Sequence, residues 1–188
     1  NIDNIIPLPN YIRAKKALGQ NFLIDKTIAL KIVEALDLGT EDTVIEVGSG
    51  TGAITSLIAP LCKKLYAIET DQDLIKPLLS VLGKYDNVEI INKDILKTNI
   101  KSLINSNTRY KTVANLPYYI TTPVISKFLE EANLPDVMVF MMQKEVAERI
   151  CEKEGSRIYG SFTIYVNYKY QASFVADVPP ESFIPSPK

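Results

Sequence analysis

The feature that most constrains the fold is a short apolar run that breaks into glycines at alternate positions. Residues 44–52 read VIEVGSGTG, and a helix-like apolar stretch follows from Ala53 to Ile58. This order predicts a strand, a tight turn and a helix, because glycine adopts backbone conformations that other residues avoid. In an open α/β sheet such a turn binds a nucleotide-like ligand, since glycines allow close approach and the helix N-terminus presents free N–H groups.

Strand-like and helix-like segments alternate along the rest of the chain. Strands are predicted at 43–47, 64–69, 88–92, 110–114 and 136–142, and helices at 26–37, 53–63, 72–83, 122–132 and 143–153. We expect Asp25 to cap the first helix and Gly39 to end it. The alternation predicts an α/β fold with a mainly parallel, doubly wound sheet, whose ligand site lies at the carboxyl ends of the strands.

Composition narrows the chemistry that this fold can support. The chain has 188 residues, a formal net charge of −1 and no histidine, which excludes histidine-dependent nucleophiles and histidine-based metal sites, so no metal is expected. Cys62 and Cys151 lie in helix-like patterns and are predicted to be buried free thiols, which favours a cytoplasmic location. No apolar run of about 18 residues occurs, so no membrane span is expected. Basic residues cluster at 11–31 and 144–157, where a nucleic-acid-binding face and a solvated surface are equally good explanations.

Two acidic residues follow predicted strands. Glu69 comes about 20 residues after the glycine turn, where a carboxylate accepts hydrogen bonds from both hydroxyls of a ribose in NAD or S-adenosylmethionine. The turn reads G-x-G-x-G, and this short spacing favours S-adenosylmethionine, which has no pyrophosphate to cradle. Asp94 is a candidate for binding the adenine amino group. At both positions an acidic residue with no ligand is the alternative.

The sharpest feature is Asn-Leu-Pro-Tyr at residues 115–118, at the end of the fourth predicted strand. The Asn115 side-chain carbonyl and the Leu116 main-chain carbonyl can accept both N–H bonds of an exocyclic amine. On adenine that amine is a poor nucleophile because its lone pair is delocalised, and two acceptors favour a pyramidal amine aimed at a sulfonium methyl. The face of Tyr118 would stabilise the developing positive charge or stack an extruded base. A plain Asn-Pro turn with an aromatic packing partner is the alternative.

Over nearly all of residues 12–188 the chain resembles the KsgA family of ribosomal RNA adenine dimethyltransferases. The matching segments, in the family's order, are 18–23 (LGQNFL), 44–52, 68–71 (IETD), 94–96 (DIL), 115–118, 143–149 (QKEVAER) and 183–187 (FIPSP). The resemblance implies a Rossmann-like class I S-adenosylmethionine-dependent methyltransferase that acts in ribosome biogenesis. Its implied substrate is two adjacent adenosines near the 3′ end of small-subunit ribosomal RNA, each methylated twice at N6.

The resemblance also implies site residues and a division of the chain. The implied cofactor-binding residues are Gln20, Asn21, Leu23, Gly48, Gly50, Glu69, Asp94, Ile95 and Asn115, and the implied catalytic residues are Asn115, Leu116, Pro117 and Tyr118. Tyr118 and Phe183 would sandwich the target base. Residues 1–24 would close over the cofactor and contact RNA, and residues 25–188 would form the catalytic domain. The expected protein is a cytoplasmic monomer whose partner is the 30S-type particle.

The residue pattern and the family resemblance disagree about residues 162–170. Apolar residues alternate over 162–170, which favours a strand. The resemblance instead implies a helix at 160–169 and then a strand at 171–178, and we predict the helix.

The family continues into a small helical domain, whereas this chain stops at Lys188, so we expect a catalytic domain that binds ribosomal substrate weakly. Ser49 matches instead the related large-subunit enzymes that confer antibiotic resistance, while 18–21 and 143–149 favour the small-subunit family.

Three other functions stay open. They are large-subunit methylation, a non-catalytic role in ribosome assembly or transcription, and an NAD-dependent dehydrogenase. The intact segment at residues 115–118 argues against a purely binding role.

Overall fold

Five parallel strands form the central sheet of the computed structural model, which describes residues 2–152 and 160–187. In chain order the strands are β1 (Phe22–Leu23), β2 (Thr43–Val47), β3 (Lys64–Ile68), β4 (Val88–Ile91), β5 (Tyr110–Asn115), β6 (Val137–Met141) and β7 (Phe183–Ile184). The α-helices are α1 (Lys26–Ala35), α2 (Thr55–Ile58), α3 (Gln72–Leu82), α4 (Thr121–Glu130), α5 (Lys144–Cys151) and α6 (Ser161–Lys169). The sheet runs β4-β3-β2-β5-β6, and β1 and β7 form a separate antiparallel pair.

Side chains of β2 alternate between two cores, one on each face of the sheet. Val44 packs with Ile32 of α1, whereas its neighbour Ile45 packs with Val124 and Phe128 of α4. All five residues of β2 are buried, as a strand covered by helices on both faces requires. The predicted Rossmann-like, doubly wound α/β fold is therefore confirmed.

Local chemistry explains where the helices begin and end. Asp25 caps α1 as predicted, because its carboxylate accepts from the N–H groups of Thr27 and Ile28. The prediction that Gly39 ends this helix is wrong: α1 ends at Ala35, and Asp37 takes the left-handed conformation, with φ 48°. The helix predicted at 53–63 is short. Pro60 lacks an N–H group, so α2 gives way to a 3-10 helix at Ala59–Leu61.

Residues 161–169 were expected to form a strand from their apolar alternation and a helix from the family resemblance. Helix α6 covers Ser161–Lys169, so the alternating pattern did not indicate a strand, and the helix is confirmed. The strand expected at 171–178 is wrong. Residues 171–178 pair with none of the described strands, and together with β6 they line a cavity of about 500 Å³. Lys153 and Arg157, two of the clustered basic residues, lie outside the described residues.

Both cysteines are free, but only Cys62 is buried, and Cys151 is half-buried. Burial is the main cause that raises the pKa of the Cys62 thiol to about 11. None of the described helices is both long enough and apolar enough to cross a bilayer.

Candidate functional site

A cavity of about 460 Å³ opens at the carboxyl ends of the central strands. It lies where the strand order reverses, between β2 and β5, which is where open α/β sheets bind their ligands. The cavity is lined by all of the predicted site residues: Gln20, Asn21, Leu23, Gly48, Gly50, Glu69, Asp94, Ile95, Asn115, Leu116, Pro117, Tyr118 and Phe183. The structure therefore brings together residues that are far apart in the sequence.

The glycine turn forms one wall of this cavity. Gly48, Gly50 and Gly52 all have positive φ, at 76°, 57° and 83°. A Cβ atom at Gly48 would lie 3.3 Å from the carbonyl oxygen of Asn115, so glycine lets the turn approach the end of β5. The N–H groups of Gly48 and Ser49 both donate to Ile68 O, at 2.9 and 3.2 Å, which fixes the turn against β3.

Glu69 is held at the edge of the cavity by backbone donors. Its Oε2 accepts from the N–H of Gly50 and its Oε1 from the N–H of Asp71, each at 2.8 Å. Burial raises the pKa of Glu69, and these two hydrogen bonds oppose the shift. A carboxylate oxygen has two acceptor positions, so both oxygens can still accept from a ligand hydroxyl.

The sequence reasoning missed Glu46, a second buried carboxyl group beside the turn. Its side chain lines the cavity from β2 and accepts a hydrogen bond from the Thr55 hydroxyl. Burial is the main cause that raises the pKa of Glu46 to about 7, and the negative charge of Glu69 adds to the shift. An acidic residue inside an apolar strand was the signal that could have identified it.

Ser49 provides a sign that the cavity accommodates a polar ligand. Its Oγ is buried close to the Glu46 carboxyl, whose pKa it helps to lower, and it makes no well-aligned hydrogen bond within residues 2–152 and 160–187. Buried hydroxyls are normally paired, since an unpaired one costs about 1–3 kcal/mol. A cofactor with polar groups, lying along the glycine turn, fits this incompletely bonded hydroxyl and the backbone space left at Gly48.

Asn115 is the last residue of β5 and stands opposite Met141 of β6. The N–H of Leu116 continues the pairing by donating to Met141 O at 3.2 Å. The Asn115 Nδ2 donates to the main-chain oxygen of Asn21 at 3.4 Å. Asn115 Oδ1 and Leu116 O accept no hydrogen bond from any residue that the structure describes. Two acceptors are thus available side by side at the cavity.

Two aromatic residues, Tyr118 and Phe183, line the same cavity as these acceptors. Pro117 directs the chain into a 3-10 helix at Tyr118–Ile120, where the Tyr118 side chain is 43% exposed. Phe183 pairs with Leu23 across β1 and β7. Ser182 donates its hydroxyl to Asp25 Oδ2 at 2.9 Å, which holds the neighbouring Phe183 beside the N-terminal segment.

Two predicted cofactor residues already have partners within the protein. Gln20 donates from Nε2 to Asp71 Oδ2 at 2.7 Å, and its Oε1 accepts from the N–H of Lys15 at 2.8 Å. Asp94 Oδ1 accepts from the N–H of Leu96 at 2.9 Å and so begins the 3-10 helix at Ile95–Lys97. Both side chains line the cavity, but part of their bonding capacity serves the fold.

Comparisons with known proteins agree with this geometry. A family model described as ribosomal RNA adenine dimethylase matches residues 12–188. Proteins named Ribosomal RNA small subunit methyltransferase A from Pediococcus pentosaceus and Alkaliphilus metalliredigens are 43% and 45% identical to this chain. Each match covers 94% of this chain, but only 61% and 62% of those relatives' own lengths.

Two solved structures also match over 89% of the chain. A dimethyladenosine transferase from Plasmodium falciparum has a TM-score of 0.81 and 32% identity, and 59% of that chain is covered. The 23S rRNA methyltransferase ErmE has a TM-score of 0.78 and 26% identity, with 66% of that chain covered. Because the family model spans residues 12–188 and the fold agrees with it, the chain belongs to the ribosomal RNA adenine dimethylase family.

Proposed function

We propose that this chain transfers methyl groups from S-adenosylmethionine to N6 of two adjacent adenosines near the 3′ end of small-subunit ribosomal RNA. The product is N6,N6-dimethyladenosine. The observation that carries the proposal is the pair of free acceptors, Asn115 Oδ1 and Leu116 O, facing the same cavity as the glycine turn. The names of the relatives support the small-subunit target, and the substrate stays a proposal because this chain spans only part of their length.

The residues around the cavity suit this cofactor, which when bound supplies an electrophilic methyl group on a sulfonium. Glu69, fixed by two backbone N–H groups, would accept hydrogen bonds from the ribose hydroxyls. Asp94 and Ile95 would bind the adenine of the cofactor. The methionine portion would lie along Gly48 beneath Asn21 and Leu23, and Gly50 and Gln20 would complete this wall.

Asn115 and Leu116 would act on the target amine. Their two oxygens accept the two N–H bonds of adenine N6, which turns the nitrogen lone pair out of conjugation and toward the cofactor. As the nitrogen bonds to the methyl carbon, the bond from that carbon to sulfur would break, its electron pair would stay on sulfur, and S-adenosylhomocysteine would leave. The nitrogen would gain positive charge, which these oxygens and the ring of Tyr118 would stabilise. The alkylated amine is strongly acidic and gives its proton to water. Tyr118 and Phe183 would stack on the two faces of the base.

The remaining features of the proposal concern partners and context. Residues 1–24 would close over the cofactor and contact RNA, and residues 25–188 would carry out the methyl transfer. The partner would be a 30S-type particle bound by a cytoplasmic monomer. Residues beyond this chain in the longer relatives would add to RNA binding.

Mapping of the methylated positions tests this proposal. Unmethylated 30S and 50S particles are incubated with the chain and S-adenosylmethionine, and the RNA is analysed by primer extension. We expect modification at two adjacent adenosines of the 30S RNA. Asn115→Ala should abolish it, whereas Asn107→Ala, a change of the same kind on an exposed loop, should not.

A large-subunit target is the second candidate. It is favoured by the similarity to ErmE and by Ser49 in the glycine turn. Modification confined to the 50S particle would establish this alternative. A non-catalytic role in assembly or transcription would be favoured if Asn115→Ala kept full function in cells while it abolished methylation. Tight binding of NAD, measured by calorimetry, would instead indicate a dehydrogenase.

A further inference from the structure

Charged and polar side chains fasten the N-terminal segment to the start of α3. The Lys15 ammonium lies 2.6 Å from Asp71 Oδ1 and 2.6 Å from Asp73 Oδ2. Gln20 donates to the other oxygen of Asp71 at 2.7 Å, and its own oxygen accepts from the N–H of Lys15. We call Lys15, Gln20 and Asp71 the latch, and residues 16–23 the strap.

The latch continues directly into the cavity. Asp71 uses its N–H to bond Glu69 Oε1, and the second oxygen of Glu69 accepts from Gly50. Asp71 therefore accepts hydrogen bonds from Lys15 and Gln20 with its side chain. Its backbone N–H holds Glu69, the carboxylate that is proposed to bind the ribose. A displacement of Asp71 would be transmitted to Glu69 through a single hydrogen bond of 2.8 Å.

The strap reaches the proposed catalytic segment at its other end. Gly19 has φ 60°, and a Cβ atom there would lie 3.1 Å from Pro117 Cβ and 3.2 Å from a ring carbon of Tyr119. The main-chain oxygen of Asn21 accepts from Asn115 Nδ2 at 3.4 Å. A carbonyl oxygen can only accept, so the Asn115 amide must turn its nitrogen to the strap and its oxygen to the cavity.

The donors of the latch offset the burial of the Asp71 carboxylate. The Asp71 side chain is only 2% exposed. Burial would raise its pKa, but hydrogen bonds from Lys15, Gln20 and the N–H of Asp73 prevail, and the pKa of Asp71 is lowered. A buried carboxylate that loses a donor is strongly destabilised. The other end of the strap is held separately by pairing of β1 with β7, so loss of the latch frees the strap without unfolding the core.

We propose that Lys15 and Gln20 are positioning residues, which fasten the strap to Asp71 and thereby hold Glu69 and the Asn115 amide in the orientations needed for methyl transfer. This inference rests on the proposed function. In this proposal Gln20 fastens the strap to Asp71 in addition to lining the cofactor cavity.

Gln20→Glu is the sharpest test because it changes one nitrogen into an oxygen that faces Asp71. Affinity for S-adenosylhomocysteine is measured by calorimetry, and the Asn115 side-chain NH₂ signal, assigned with Asn115→Asp, is followed by NMR. At about pH 8 we expect an affinity roughly tenfold below wild type and a shifted signal, since a hydrogen bond from a neutral amide to the Asp71 carboxylate becomes a repulsion between two carboxylates. At about pH 5 both should return toward wild type, because the facing Asp71 carboxylate raises the pKa of the introduced carboxyl, which is then protonated and donates again.

Other titrating groups need matched controls. Lys15 and Asp71 contact Gln20, Asp73 contacts Lys15, and Glu69 is bonded to Asp71. Because Glu46 also titrates in this range, each value is taken relative to wild type at the same pH. Lys15→Ala should weaken affinity about threefold while Lys15→Arg restores it, because the cation is partly exposed. Lys16→Ala removes the same charge one residue away, from an exposed side chain with no ion pair among the described residues, and should change little.

The outcomes separate this inference from the proposed function. If Gln20→Glu matches wild type at both pH values, or if its loss persists unchanged on acidification, the latch has no positioning role. If that variant fails to fold, the contrast among Lys15→Ala, Lys15→Arg and Lys16→Ala decides, and equal affinities would overturn the inference. If wild type binds no S-adenosylhomocysteine, the proposed function fails, and the Asn115 signal still decides whether the latch orients that amide.

Discussion

Replacing Glu46 by glutamine should stabilise the protein at neutral and alkaline pH. Glu46 is fully buried in β2, and burial, with a smaller contribution from the charge of Glu69, raises its pKa from 4.5 to about 7. A carboxyl group whose pKa is raised by folding binds a proton more tightly in the native state. The native state is therefore penalised as the pH rises from about 4.5 to about 7, and the penalty is constant above that range.

The size of the effect follows from that shift. A difference of about 2.5 pKa units corresponds to about 3 kcal/mol in the free energy of unfolding. Glutamine is neutral at every pH, so the variant does not bury a negative charge in the native state. Its side-chain oxygen can still accept the hydrogen bond from Thr55. At about pH 4.5 wild type and variant should be similarly stable. At about pH 8 the variant should be more stable by up to about 3 kcal/mol.

Urea unfolding of both proteins at about pH 4.5 and about pH 8 measures this difference directly. The double difference between proteins and pH values cancels contributions from other titrating groups. Glu89→Gln, a change of the same kind at an exposed ion pair with Lys64, serves as the control and should show almost no pH-dependent difference. A variant that is less stable than wild type at about pH 8, or a double difference below about 1 kcal/mol, would refute the raised pKa of Glu46.

Two further predictions concern the walls of the cavity. Glu69→Ala should weaken binding of S-adenosylhomocysteine by about 1.5–3 kcal/mol, the range for hydrogen bonds to a charged group, and an unchanged dissociation constant in calorimetry would exclude a ribose contact. Gly48→Ala should lower the free energy of unfolding by about 1–2 kcal/mol, because alanine is strained at φ 76° and its Cβ would press on Asn115 O. Gly160→Ala, where a Cβ atom meets open space, is the matched control, and equal losses at both positions in urea unfolding would contradict this account.

The main features of the fold were predictable because they depend on local patterns. The run at 44–52 predicted both the strand and the turn, and β2 has the predicted bounds. The candidate site residues at the carboxyl ends of the parallel strands could likewise be identified before their contacts were known. Glu69 and Asn115 both line the cavity for this reason.

The features that were not predictable depend on tertiary contacts. Helix α1 ends at Ala35, before Gly39, because the non-glycine residue Asp37 adopts the left-handed conformation where the chain turns. The apolar alternation over 162–170 favoured a strand, although the segment is helical. Helix α6 buries only part of its surface and leaves Ile164 and Tyr168 exposed, so its apolar residues are not confined to one buried face. The pairing of Gln20 with Asp71 joins segments 51 residues apart, which no local pattern reveals.

The central claim is that Asn115 mainly serves the target amine, although the resemblance also implies that it contacts the cofactor. Single-turnover methyl transfer to 30S particles, with cofactor and particles saturating, compares wild type with Asn115→Ala, and calorimetry gives the affinity of each for S-adenosylhomocysteine. We predict a rate at least about 100-fold lower for the variant, the scale of losing one oriented group in a transition state, with nearly unchanged affinity. A variant that keeps the wild-type rate, or one whose lost activity is matched by lost cofactor affinity, would contradict this account.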